Sequence, residues 1–244
     1  MSTIHDRTKI IVKEDGLKRL QNSNILLAGL GGVGGYAVEA LVRAGIGNLT
    51  IVDNDVVDIS NINRQIIATH SNIGNKKTDL FKQRIADINP DCNVNAETIF
   101  LDNSNIEQVL NAEKYSYVID CIDSLNCKVG LVETAWKMDI KVYSSMGAGG
   151  KTDPLAVEVT DLFKTSVCPL AKFMRIRLKK RGVGKGIKAV FSKETPVAPL
   201  PPEPSEENTC RNRSTLGSIS YIPAIFGLTL AGEVIRDIVK SHYY

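Results

Sequence analysis

The stretch Asn24-Ile-Leu-Leu-Ala28-Gly29-Leu-Gly31-Gly32-Val-Gly34 decides the fold. Its first five residues read as a short buried strand, and glycines follow without a spacer. Gly34–Ala44 then carries Ala37, Leu41 and Ala44 at helical spacing. Strand, glycine turn and helix in this order make a G-x-G-x-x-G fingerprint. Gly29 permits the tight turn, Gly31 lets the backbone approach a phosphate, and Gly34 allows the helix to pack closely on the strand. The free N–H groups at the helix start favour an anion. A glycine turn alone can also be purely structural. Here Asp53 ends the next strand-like run, 19 residues after Gly34, where a carboxylate can accept ribose hydroxyls. The alternative for Asp53 is a helix cap.

Outward from this unit, strand-like and helix-like segments alternate. Asn48–Val52, 93–99, 116–120 and Lys141–Ser145 read as strands from their β-branched and aromatic content, and Lys77–Ile88 as an amphipathic helix. Alternation of this kind predicts an α/β, Rossmann-like fold, a mostly parallel sheet with helices on both faces. The later half predicts a C-terminal extension. It has a helix over 170–181, a glycine-broken arm over 185–193, an irregular loop over 195–212 with the run Leu-Pro-Pro-Glu-Pro, and an apolar last helix within 219–239. A single domain over 1–244 is expected, with a nucleotide-binding half at about 20–150 and a basic, substrate-binding and dimerising half at about 151–244. The last apolar segment is short for a membrane span and reads as a buried or interface helix, so no membrane span is expected.

Composition excludes little but bounds the reading. The chain has 244 residues and a formal charge of +3, so any nucleic-acid signal must lie in how charge is distributed. Cys92, Cys121, Cys127, Cys168 and Cys210 are odd in number and contain no C-x-x-C pair. That points to a reduced cytoplasmic setting and to no structural zinc. Each thiol reads as inert, since no sequence feature marks one as activated.

A second constellation sits behind the glycine loop. Asp53-Asn-Asp55 leads into Ser60-Asn61-Ile-Asn63-Arg64-Gln65, and Gly74-Asn-Lys-Lys77 opens a helix. Asp120-Cys-Ile-Asp123-Ser124 then puts two carboxylates at a strand's C-terminal end, the side where open α/β sheets bind ligands. Arg64 and Lys77 aimed at a polyphosphate, with Asp123 able to hold Mg²⁺, suit nucleotidyl transfer. Hydride transfer has no evident use for this set.

In that order, GLGGVG, IVDNDVVDISNINRQ, GNKK and VIDCIDS resemble the adenylating domain shared by ubiquitin-like activating enzymes and their bacterial relatives of thiamine and molybdopterin synthesis. The resemblance implies ATP as cofactor. It assigns Gly31, Gly32 and Asp53 to adenosine and its ribose, Asn61, Arg64 and Lys77 to the phosphates, and Asp123 to Mg-ATP. Gly29, Gly34, Asp55 and Ser124 belong to the same motifs. Arg7, in HDRTKII, resembles the family arginine that reaches the neighbouring subunit's ATP site, which implies a homodimer. Pairing would also cover the apolar segment 219–230.

Beyond Gly147 the chain lacks the paired zinc cysteines of the protein-activating branch. SSMGAGGKTDP, TDLFKT, PLA, VFSKETP and GSISYIP instead resemble the tRNA threonylcarbamoyladenosine dehydratase family. This implies tRNA as partner and ATP-driven cyclisation as the reaction, with a sulfur-transfer protein left open as an accessory. Charge agrees: residues 164–193 hold ten basic side chains and no acidic one. Lys172, Arg175 and Lys179 share a helical face, and Lys185 and Lys188 lie on the arm; such groups can grip phosphates without reading sequence. The alternative is a solvated helix face. Two rival functions stand beside this one: adenylation of the C-terminal glycine of a small sulfur-carrier protein, and an NAD-binding oxidoreductase.

Overall fold

The computed structural model describes residues 3–200 and 216–240. Seven strands form one sheet: β1 (Asn24–Ala28), β2 (Asn48–Val52), β3 (Asn93–Glu97), β4 (Tyr117–Asp120), β5 (Lys141–Ser145), β6 (Val157–Asp161) and β7 (Lys188–Ser192). Their spatial order is β3-β2-β1-β4-β5-β7-β6, parallel throughout except for β6, which runs antiparallel along β7. The chain moves one way from β1 to β2 and β3, then returns to place β4 on the other side of β1. The crevice between the C-terminal ends of β1 and β4 is therefore the topological switch point, where such sheets take ligands.

Seven helices cover the sheet: α1 (Asp6–Gln21), α2 (Gly34–Ala44), α3 (Lys77–Ile88), α4 (Ile106–Asn111), α5 (Leu125–Lys137), α6 (Pro169–Lys180) and α7 (Ile222–Val239). Successive strand residues point to opposite faces. Ile25, Leu27, Leu49 and Ile51 join one core cluster with residues of α2, α3 and α7, while Leu26, Ala28 and Val52 join the other with α4, α5 and α6. Both faces are dry, which is why these strands read as continuous apolar runs.

Two expectations change. Helix α7 lies in the middle of one face against α2, with Ile222, Phe226, Leu230, Ala231 and Val234 buried. The apolar segment is thus covered within the chain and needs no partner copy to cover it. Among the described residues no helix is long and apolar enough to cross a membrane. The arm expected over 185–193 is mostly strand β7, held between β5 and β6 with Ala189, Val190 and Phe191 buried. Lys188 is consequently anchored: its Nζ lies 3.4 Å from Glu233 Oε2 and 5.2 Å from the centroid of the Tyr143 ring. The segment expected to be irregular has no helix over 195–200, and its remainder, with Cys210, lies outside the described residues.

Candidate active site at the switch point

Glycine at two positions is enforced by geometry. Gly29 has φ 94°, a left-handed conformation that favours glycine, and a Cβ there would press on the Cys121 carbonyl. A Cβ on Gly34 would collide with the Gly29 carbonyl oxygen. The loop so formed opens α2, whose N-terminus has no side-chain cap and leaves its donors to a ligand.

Asp53 holds this loop from the next strand. Its Oδ2 accepts the Leu30 N–H at 2.6 Å and its Oδ1 accepts the Asp55 N–H at 2.7 Å. Burial pushes the Asp53 carboxyl up from its ordinary value, against the opposing pull of Lys77 and the two N–H donors. Lys77, at the start of α3 and almost fully buried, donates to Asp55 Oδ2 at 2.8 Å. Asp53, Asp55 and Lys77 therefore form one charged group beside the glycine loop.

The segment after β2 closes the front. Asp58 and Asn61 cap the short turn 59–61 reciprocally, so the Asn61 carboxamide is engaged with the Asp58 N–H at 3.2 Å. That turn delivers Arg64 against the loop: its Cγ lies 3.3 Å from where a Cβ of Gly32 would stand. The Arg64 guanidinium is held by the Ser60 carbonyl and Asn63 Oδ1, each at 2.8 Å. Gln65 packs by Gly31, and its buried Oε1 has no protein partner among the described residues. An unpaired buried acceptor beside a backbone cradle fits a bound nucleotide.

Asp123 is carried on the turn between β4 and α5, exposed, with Ser124 at the N-cap of α5. A network not apparent from the sequence fixes this turn from below. Lys128 and Asp120 are both 0% exposed and pair at 2.8 Å. Lys128 Nζ also donates to the Ile122 carbonyl at 3.0 Å, and Ser144 Oγ donates to Asp120 Oδ2 at 2.6 Å. The available signal was one lysine inside the otherwise uncharged stretch Cys127-Lys128-Val-Gly-Leu-Val132. A buried ion pair is tolerated only with its remaining valences satisfied, as here.

The C-terminal part completes the wall. Asn63 Nδ2 donates to the Ser218 carbonyl at 3.0 Å, and the Tyr221 hydroxyl donates to the Thr152 carbonyl at 2.7 Å. Pro223 meets Gly32, and Leu216 meets Gly149. Buried Lys151 folds back to donate to the Gly147 carbonyl at 2.6 Å.

Other expected residues lie apart. Arg7 is exposed on the first turn of α1. Lys172, Lys179 and Lys185 are exposed, whereas Arg175 donates to Thr165 Oγ1. Burial pushes the Cys92 thiol up to about 11, and burial followed by the Asp120 charge also pushes up Cys121. Neither is poised as a nucleophile. Among the described residues no three His, Cys, Asp or Glu side chains gather as a metal site.

Comparison with known proteins places this geometry. The ThiF family profile matches residues 5–243. The tRNA threonylcarbamoyladenosine dehydratase of Bacillus subtilis (strain 168) is 38% identical over 240 residues, covering 96% of this chain and 94% of that protein. The structure of E. coli tRNA N6-threonylcarbamoyladenosine dehydratase, TcdA, in complex with ATP aligns with a TM-score of 0.86 at 35% identity, covering 98% of both chains. The complex of that protein with AMP aligns equally well.

Proposed function

The chain belongs to the ThiF family, and from that premise we propose that it is an ATP-dependent tRNA threonylcarbamoyladenosine dehydratase. The observation that carries this reading is extent: the likeness runs through both the nucleotide site and the residues beyond Gly147, over nearly the whole of each relative.

The chemistry follows from the electrophile. A threonyl carboxylate is anionic and resists nucleophilic attack. Its oxygen attacks the α-phosphorus of ATP, the bond to the β,γ-diphosphate breaks, and pyrophosphate leaves. The carbamoyl group of the same nucleoside then attacks the acyl-adenylate carbonyl, a ring closes and AMP departs with the carboxylate oxygen. The net change in the nucleoside is loss of water.

Each residue has a task in these steps. The N-terminus of α2 and the loop amides receive phosphate oxygens, and Asp53 takes the ribose while tying the loop. Arg64 and Lys77 offset charge that develops on the phosphates. Magnesium, with Asp123 and substrate phosphates as ligands, supplies further charge neutralisation when bound; one carboxylate with phosphates and waters suits that ion. No cysteine is required. The lysines of α6 receive tRNA phosphates.

The working unit is a two-fold dimer in the cytoplasm. The support is an exposed apolar stripe, Ile4, Ile10 and Ile11, next to Arg7 on an α1 that kinks at Lys13, where φ is 61°. Such a stripe suits burial against a second copy, whose phosphates Arg7 would then meet.

Mass spectrometry of nucleosides tests the function. Incubation of threonylcarbamoyladenosine-containing tRNA with the protein, ATP and Mg²⁺ should convert that nucleoside to one lighter by a water, with AMP formed in equal amount. Conversion of ATP without change in the nucleoside, or recovery of an adenylated Gly-Gly protein tail instead, would refute it.

A further inference from the structure

Of the ten basic residues in 164–193, half are already engaged. Arg175 donates to Thr165, Arg177 to Asn126 Oδ1 and Arg181 to Glu133, while Lys188 pairs with Glu233 and Lys193 with Glu158. The other five, Lys164, Lys172, Lys179, Lys180 and Lys185, are exposed and have no ion-pair partner among the described residues. Three of these five stand on α6.

The same helix face displays two large apolar side chains that stand exposed among the described residues. Ala171, Met174 and Leu178 turn into the core, and Phe173 and Ile176 turn outward, 51% and 44% exposed. Residues three and four apart are neighbours on a helix surface. Ile176 thus stands between Lys172 and Lys179 on one side and Phe173 and Lys180 on the other. Val167, just before the helix, is also 51% exposed. A solvated face would have no use for an exposed phenyl ring among unpaired cations.

The face also borders the catalytic edge. Arg177 of α6 holds Asn126, which lies in the first turn of α5, three residues after Asp123. At the helix start, the Sγ of buried Cys168 lies 3.7 Å from where a Cβ of Gly147 would stand, on the loop that follows β5.

We infer that this face of α6 is a base-stacking platform, on which Phe173 takes an unpaired nucleobase of the RNA while Lys172, Lys179 and Lys180 hold the adjoining phosphates. The inference rests on the tRNA reading above and adds what that reading lacks, a contact that recognises single-stranded loop rather than duplex. Cations tracking a backbone with an aromatic ring between them are the usual means of holding unpaired nucleic acid, because every base has a π-face. A protein partner of the sulfur-carrier kind, small and acidic at its tail, would meet the cations but leave the ring idle.

Salt dependence separates the two components. Filter binding of substrate tRNA to the full chain is measured across a salt series, for wild type, Phe173→Ala and the triple variant Lys172→Ala, Lys179→Ala, Lys180→Ala. Stacking releases no counterions, so Phe173→Ala should weaken binding roughly 5- to 150-fold with an unchanged salt slope. The triple variant should flatten that slope, by about 0.7 for each single-strand phosphate that a lysine no longer neutralises. Phe173→Trp should retain affinity, with more fluorescence quenching on tRNA than wild type shows from Trp136. Because Phe173 is exposed, its truncation leaves the core intact, and unchanged ATP affinity checks this.

Equal tRNA affinity for Phe173→Ala and wild type, in a preparation that converts the nucleoside, overturns the platform and leaves the function standing. Loss of all tRNA binding by wild type overturns both. A halved mass by light scattering for Phe173→Ala would assign the patch to a second copy of the chain and also overturn the platform.

Discussion

At the scale of single residues, Asp53 is the proposed ribose ligand and also ties the glycine loop to the strand end. Both carboxylate oxygens already receive backbone N–H groups, one of them from within the glycine loop. Hydrogen bonds to a charged group contribute about 1.5–3 kcal/mol, so Asp53→Ala should weaken ATP binding roughly 10- to 100-fold by loosening the loop as well as removing the ribose acceptor. Calorimetric titration with ATP checks this, and an unchanged affinity in a folded variant would remove Asp53 from the site. Arg64, Lys77 and Asp123 are proposed to act on charge that appears during reaction. Alanine at each should lower turnover about 10²–10³-fold while tRNA binding changes little, as single-turnover kinetics beside filter binding would register. The sequence singles these residues out by motif order and by the family resemblance, and the proposal that they act on ATP follows from that. Their pairings are not legible there, because Lys77 with Asp55, Arg64 over Gly32 and Asn63 with Ser218 are products of topology rather than of spacing.

Among elements, α7 has the widest reach. Its Tyr117 and Lys141 neighbours on the sheet bind Asp237 at 3.1 and 2.7 Å, and its first turns rest on the glycine loop and the start of α2. Gly227 sets that distance, since a Cβ there would collide with the Val33 carbonyl. Gly227→Ala should therefore cost about 1–3 kcal/mol by overpacking and weaken ATP binding although it touches no nucleotide. Thermal melting and ATP titration together test it; a shift in melting with intact affinity would show that helix and loop are uncoupled. Strands β1, β2 and β5 and helices α2 and α3 were readable to their boundaries because one period rules each segment. Strand β7 was not. Three glycines and several lysines before it read as an arm, while its inward run Ala189-Val190-Phe191 is too short to outweigh them. Strand β6 alternates Val157, Val159 with Glu158, Thr160 at an edge and has no strong apolar signal.

For the molecule as a whole, the proposed dimer makes each site the work of two chains. The switch-point crevice brings the glycine loop, Asp53, Arg64 and Lys77 together from one chain, but Arg7 stands on an α1 edged by exposed apolar side chains. Light scattering at micromolar concentration should give twice the chain mass. Mixing inactive Arg7→Ala with inactive Asp123→Ala should then restore part of the activity, since one mixed dimer site keeps both residues. A monomer with full turnover would exclude the shared site. The three exposed lysines of α6 without an ion-pair partner among the described residues belong to this scale too, because the proposed tRNA substrate would extend well beyond the nucleotide pocket.

The mooring of the glycine loop has a temporal consequence. Leu30 is fastened to Asp53, Gly29 to the Val52 carbonyl, and Gly35 to the Gly31 carbonyl, all by groups of the chain itself. A loop tied at three points by its own chain is held in one shape. Amide protons of Gly29, Leu30 and Gly35 should then exchange with deuterated solvent slowly before nucleotide arrives, and ATP should retard them little further. Entry of the nucleotide is in that case a filling rather than a folding.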